Sequence, residues 1–262
     1  VQRQLIFSAS MFLLVWGWSL LPAPLRGWSM LPLWIVCTAL IFTGGFEAAR
    51  MRRRVWLDQY LRAESPWHRL LRGGALMAAW HVLIGALLSL FMLIKLQYSD
   101  AALWAVLALG LPLLAWFSRM LNRRMREHVA PQALPALVRR FSVPLAVGVL
   151  TALYLMVTLN QGQTDLRGLS WELVMLEYLQ PSASELTGLR VLERSYMMLD
   201  LTLHWALQNG LGGAERNGWL ALVGWSLLLL SGSAFIWAYV RLLVGLDALL
   251  DQRIQPSWKE AA

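Results

Sequence analysis

Apolar residues fall into six runs along the chain, and the segments between them are either short or crowded with charge. The runs cover residues 5 to 21, 28 to 46, 75 to 96, 101 to 117, 141 to 159 and 218 to 240. A helix needs about 20 mostly apolar residues to cross the hydrocarbon of a bilayer, so each run is predicted to be a spanning helix. Pro22 and Pro24 end the first run, which is read as a retained span, with a cleaved signal as the alternative. The links after runs one and three are only a few residues long, and each is predicted to close an antiparallel hairpin. Pro144 is expected in the first turn of the fifth helix, where its missing amide costs little.

From residue 160 to 217 the pattern changes, and acidic residues outnumber basic ones. This stretch is predicted to be a helical extracytoplasmic insertion, with Ser182 and Glu185 as a capping box and Asn209-Gly210 as a helix stop. Its segment 195 to 213 is apolar but short and holds Asp200 and His204, so it is expected at the interface or against the outer ends of the spans. The sixth run leads into an amphipathic cytoplasmic tail with Asp247 and Asp251 one turn apart and a break at Pro256. The fold class is therefore an all-α polytopic integral membrane protein. Residues 1–159 form a five-span region, 160–217 the insertion, and 218–262 the sixth span and tail.

Composition supports the bilayer: of 262 residues, 58% are apolar and only 15% charged, where a soluble protein carries nearer a quarter. The net charge of +8 would suit nucleic acid if spread over a soluble face, but it is packed between apolar runs. Seven arginines lie in the loop 50–72 and six in the loop 119–140. With Arg3, Arg241, Arg253 and Lys259 they mark one side of a six-span arrangement; Arg26, Lys95, Arg167, Arg190, Arg194 and Arg216 mark the other. By the positive-inside rule both termini and both basic loops are cytoplasmic, and the expected location is a bacterial cytoplasmic membrane. Trp28, Trp104, Trp116 and Trp219 are expected as interfacial anchors.

Arg50, Arg52, Arg53, Arg54, Arg123, Arg124 and Arg126 are placed to touch anionic phospholipid headgroups or an acidic partner. Trp56, Tyr60 and Trp67 suggest an amphipathic helix lying on the membrane rather than a base-stacking platform. His81 is the clearest ionisable group within a run and is the candidate for an ion pathway or gate, while Lys95 is expected to snorkel outward. Glu47 is expected to pair with Arg50 or Arg119. Asp200 and His204 share a helical face, and with Glu193 and Arg194 they form the one constellation that resembles an active centre.

No nucleophile motif accompanies it. Ser233 sits in SGSAF, where small residues permit close helix packing. Cys37, alone in an apolar run, is expected to be a filler. No metal-ligand spacing or phosphate loop occurs, so neither metal nor cofactor is expected. The leading expectation is a non-enzymatic subunit of a larger membrane assembly for envelope biogenesis, secretion or an effector system, bound to other subunits and with homo-oligomers also open. Two alternatives stand beside it: a transporter or channel subunit using His81, and a lipid-acting enzyme using Asp200 and His204.

Overall fold

A computed structural model describes residues 2–60, 75–129, 134–160, 164–179, 186–212 and 218–254. Among them the chain forms eight α-helices and no strand: α1 (Gln2–Ser19), α2 (Ala23–Tyr60), α3 (Ala75–Gln97), α4 (Ala101–Met125), α5 (Leu134–Asn160), α6 (Trp171–Tyr178), α7 (Thr187–Gly212) and α8 (Gly218–Ile254). Five are long and apolar enough to cross a membrane, over Ala23–Phe46, Leu76–Gln97, Ala101–Met125, Leu137–Asn160 and Gly218–Leu249. The apolar part of α1, Leu5–Ser19, is shorter than these. Many large apolar side chains face outward, among them Ile6, Leu13, Leu76, Trp80 and Met156, which suits a protein whose solvent is lipid.

The core forms where α8 passes between the other long helices. Phe235, Ile236, Leu242 and Leu243 of α8 are fully buried with Met92, Leu93 and Leu96 of α3, Leu107 of α4 and Leu150 of α5. The two expected hairpins, α1 with α2 and α3 with α4, are not the main helix interfaces. The most extensive pairs are α2 with α3, α2 with α8, α4 with α5, and α7 with α8, whereas α1 lies against α4 and α8 rather than pairing along α2. Likewise α3 and α4 share a turn but not a long interface.

Glycines account for these choices, because helices in lipid associate by close packing rather than by hydrophobic burial. Gly85 of α3 sits against the Thr38 carbonyl of α2. A Cβ on Gly44 would lie 3.0 Å from the Cα of Gly245, and one on Gly245 would run into the Leu40 carbonyl. Gly110 of α4 receives Leu150 and Tyr239, each 3.2 Å from the position of a Cβ. The Tyr239 hydroxyl donates to the Leu107 carbonyl at 3.0 Å.

Several expectations are corrected. The segment from Arg50 to Tyr60 continues α2 as one helix instead of lying as a separate surface helix. Helix α5 begins at Leu134, so Pro135 occupies the first turn and Pro144 falls in the interior, where it leaves a carbonyl one turn earlier without its amide. Trp28, Trp116 and Trp219 are exposed, but Trp104 is buried and meets Phe12 edge-on at 5.7 Å. The Ser182–Glu185 box and Pro256 lie outside the described residues.

Helix α8 is 37 residues long, about 55 Å at 1.5 Å per residue. Its second half is locked into the bundle, as the contacts of Phe235, Tyr239 and Gly245 show. Its first half pairs antiparallel with α7: Gly224 abuts Ala206 and Leu207, and Gly210 abuts Ala221.

On this α7–α8 hairpin rides the segment 164–179. Leu166 and Gly168 amides donate to Gln208 Oε1 (2.6 Å) and Asn209 Oδ1 (2.8 Å), and Asn209 Nδ2 returns a bond to the Leu166 carbonyl (2.9 Å). Gly168 has φ +74°, a conformation open to glycine at no steric cost. Asn209 therefore fastens this loop, and α7 runs on past the expected stop to Gly212.

Candidate functional site

At the Asp100 end of the bundle, the last turn of α3 brings Lys95 inward. Its side chain is buried, and Nζ donates to the Tyr154 hydroxyl of α5 at 2.6 Å. The ammonium also lies 4.5 Å from the Tyr154 ring centre and 5.2 Å from that of Phe235 in α8. The Tyr154 ring can take this place because residue 232 is glycine: a Cβ there would come within 2.7 Å of it. Lys95 makes no ion pair among the described residues. Its charge is held by a phenol oxygen and by aromatic faces, whose negative quadrupoles attract a cation. The expectation that Lys95 snorkels outward is thus overturned; α5 and α8 offer it a nearer polar partner inside.

Helix α7 closes this cluster. Glu193 is buried at 1% exposure, and its carboxylate accepts a hydrogen bond from Tyr98. Tyr98 stacks on Tyr196 at 6.0 Å, and Tyr196 meets Phe91 edge-on at 6.1 Å. Burial, with the Glu193 charge adding to it and Arg26 opposing, pushes the Tyr98 hydroxyl up to about 12. Burial and then the Asp200 charge hold Tyr196 well above the usual phenol range. Both phenols are therefore neutral at physiological pH.

One turn further along α7, His204 Nδ1 lies 3.5 Å from Asp200 Oδ2 and 2.8 Å from the Asp200 carbonyl. Burial pulls the His204 pKa down, but the hydrogen bonds and charge of Asp200 outweigh it and leave it raised, with Lys95 opposing. The sequence-level constellation is therefore divided. Asp200 meets His204, Glu193 turns to Tyr98, and Arg194 is exposed.

Asp200 and His204 are half of a general-base arrangement, with the carboxylate orienting the ring. Among the described residues no serine, threonine or cysteine side chain hydrogen-bonds the imidazole, and Thr202 is engaged with Met198 and Trp171. Among those residues, too, no group of three or more histidine, cysteine or acidic side chains could hold a metal.

His81 lies in a different region. Its Nδ1 is 2.9 Å from the Met77 carbonyl of the preceding turn, and its ring stands edge-on to Phe46 at 6.1 Å. Gly45 separates it from Arg241: a Cβ there would be 2.9 Å from Arg241 Nη1 and 3.4 Å from His81 Cδ2. Arg241 itself lies over Trp237 at 4.7 Å. Nearby, Arg139 of α5 pairs with Asp247 of α8 at 3.3 Å.

Spanning the end of the apolar run of α4, a shallow depression is lined by Trp116, Arg119, Met120, Arg123 and Arg124. Arg126 is exposed beside it. The backbone of Arg50, Arg52, Arg53 and Arg54 belongs to α2, while their side chains and that of Glu47 lie outside what is described.

No family profile, characterised protein or solved structure matches the chain. The reading of function therefore rests on geometry. What sequence reasoning missed is the aromatic enclosure of Lys95. The available signal was the placement of Tyr98, Tyr154 and Tyr196 near the same end of the helices as a lysine, since tyrosine combines an apolar body with a polar tip.

Proposed function

We propose that the chain is a non-enzymatic integral subunit of a larger membrane assembly, of the kind serving envelope biogenesis, secretion or an effector system. In this reading it resides in a bacterial cytoplasmic membrane. Helix α1 joins the five long apolar helices as a sixth span, both termini are cytoplasmic, and the hairpin with α6 stands on the outer side. The arginine asymmetry supports that orientation. The observation that carries the subunit reading is apolar surface on elements outside the five apolar spans. Leu176 of α6 is 89% exposed and Val191 of α7 is 60% exposed, with Leu173 and Leu199 also open. Apolar surface facing water beyond the bilayer marks contact with another protein.

The test is purification of the tagged chain from its own cells in mild detergent, beside a Leu176→Glu/Val191→Glu variant. The subunit reading expects a stoichiometric partner that the variant loses while its own helical content persists. A partner-free chain, or a partner held equally by both, contradicts it.

A second reading, a transporter or channel subunit, draws on Lys95, a buried charge with no ion pair among the described residues and so a functional hypothesis in a membrane. Flux through proteoliposomes that Lys95→Met abolishes, with the chain still folded, would favour it. Flux lost only on changing His81 would return the pathway to that residue.

A further inference from the structure

We propose that the arginine-rich end of α4 is a binding site for the phosphodiester headgroup of an anionic phospholipid. It rests on the bilayer placement of the apolar helices, not on the subunit reading. The depression there is lined by Trp116, Arg119, Met120, Arg123 and Arg124. At 100° per residue these five positions fall within an arc of about 140° on one helix face, so they act on the same ligand. Trp116 is 56% exposed, and the three arginines are exposed with no carboxylate partner among the described residues. Their donors are therefore open to an incoming anion, and the planar guanidinium fork matches phosphate oxygens two at a time.

Depth selects the occupant. Trp116 belongs to the apolar run of α4, whereas Arg123 stands seven residues on, about 10 Å along the axis. A ligand filling the depression lays one part beside an indole at the edge of the hydrocarbon and another against guanidinium groups at headgroup level. A phospholipid has that build. Free phosphate has no part for Trp116 and Met120, and an acidic protein would have to enter the bilayer edge to reach them. Electroneutral headgroups offer phosphate too, but their ammonium is repelled by three arginines, so the site prefers net negative lipid.

The experiment uses the full chain reconstituted in phosphatidylcholine bilayers, with spin-labelled phosphatidylglycerol or phosphatidylcholine as probe and the motionally restricted fraction as readout. Because both leaflets are alike, insertion direction does not affect it. The wild type is expected to hold phosphatidylglycerol about fivefold more strongly than phosphatidylcholine. Arg119→Gln/Arg123→Gln/Arg124→Gln should lower that ratio about threefold, leaving the preference that the other arginines contribute, and the matching triple lysine variant should fall between. If the triple variant does not reconstitute, Arg123→Gln alone should still lower the ratio about twofold. Soluble glycerol phosphate at millimolar concentration should leave the ratio unchanged, and displacement by it would overturn the lipid assignment. A wild type without preference, or glutamine variants that keep it, would overturn the site.

Discussion

Removing one oxygen atom tests the buried lysine. Tyr154→Phe keeps the ring that Lys95 Nζ faces at 4.5 Å and deletes the hydroxyl that accepts its hydrogen bond at 2.6 Å. Cation–π attraction therefore survives while the hydrogen bond goes. A hydrogen bond to a charged group contributes about 1.5–3 kcal/mol in soluble proteins, but interhelical bonds measured in membranes reach only about 1.7. The buried, short bond here belongs near that upper end, so the expected loss is about 1.5 kcal/mol. Lys95→Met should cost far less, within about 1 kcal/mol, because the desolvated charge leaves with its partner's role. In the Lys95→Met background Tyr154→Phe should then be nearly silent, giving a coupling of about 1.5 kcal/mol. The assay is equilibrium unfolding in mixed dodecyl sulfate and mild-detergent micelles, followed by far-UV circular dichroism. A coupling below about 0.3 kcal/mol would refute the argument that the phenol oxygen stabilises the ammonium.

Other outcomes follow from particular contacts. Gly245→Ala drives a Cβ into the Leu40 carbonyl and should cost at least about 2 kcal/mol in the same assay, as overpacking against backbone does. Gly148→Ala meets open space and should stabilise by up to about 1 kcal/mol through helix propensity. Asn209→Ala removes the acceptor of the Gly168 amide and the donor to the Leu166 carbonyl; it should sharply speed proteolysis within 164–169 at little cost to the bundle. The raised His204 pKa means stability contributed by the His204–Asp200 pair is full below pH 6.5 and is lost as pH rises through the folded value. Protection factors of the α7 amides, corrected for the intrinsic pH dependence of exchange, should therefore be higher at pH 5.5 than at pH 8.5, and Asp200→Asn should flatten the difference.

Span positions were legible because lipid imposes a length and a composition on every crossing helix. The five long apolar helices overlap the runs at 28 to 46, 75 to 96, 101 to 117, 141 to 159 and 218 to 240. Helix pairing was not legible. Gly44, Gly85 and Gly245 choose partners far along the chain, and a glycine's neighbour cannot be read from its own segment. Lys95 shows the same limit, since outward snorkelling is the default for a lysine at a span end. Its inward turn depends on Tyr154, 59 residues away. Asp200 and His204 were legible as a pair because four residues bring side chains onto one helical face. Glu193 was placed with them by proximity along the chain, but it stands two turns before Asp200, about 10 Å along the axis of α7, and at that level its neighbour is Tyr98. The continuation of α2 through its arginines was hidden by the habit of ending a span where charge begins, although arginine is a good helix former.

The measurement closest to the central claim is cysteine labelling in intact cells with a membrane-impermeant maleimide, in a Cys37→Ser background. The proposed arrangement puts α6 on the outer side and the arginine-rich end of α4 inside. Leu176→Cys should therefore label in intact cells, and Arg126→Cys only after lysis. Labelling of Arg126→Cys in intact cells, or protection of Leu176→Cys until the membrane is opened, would contradict it.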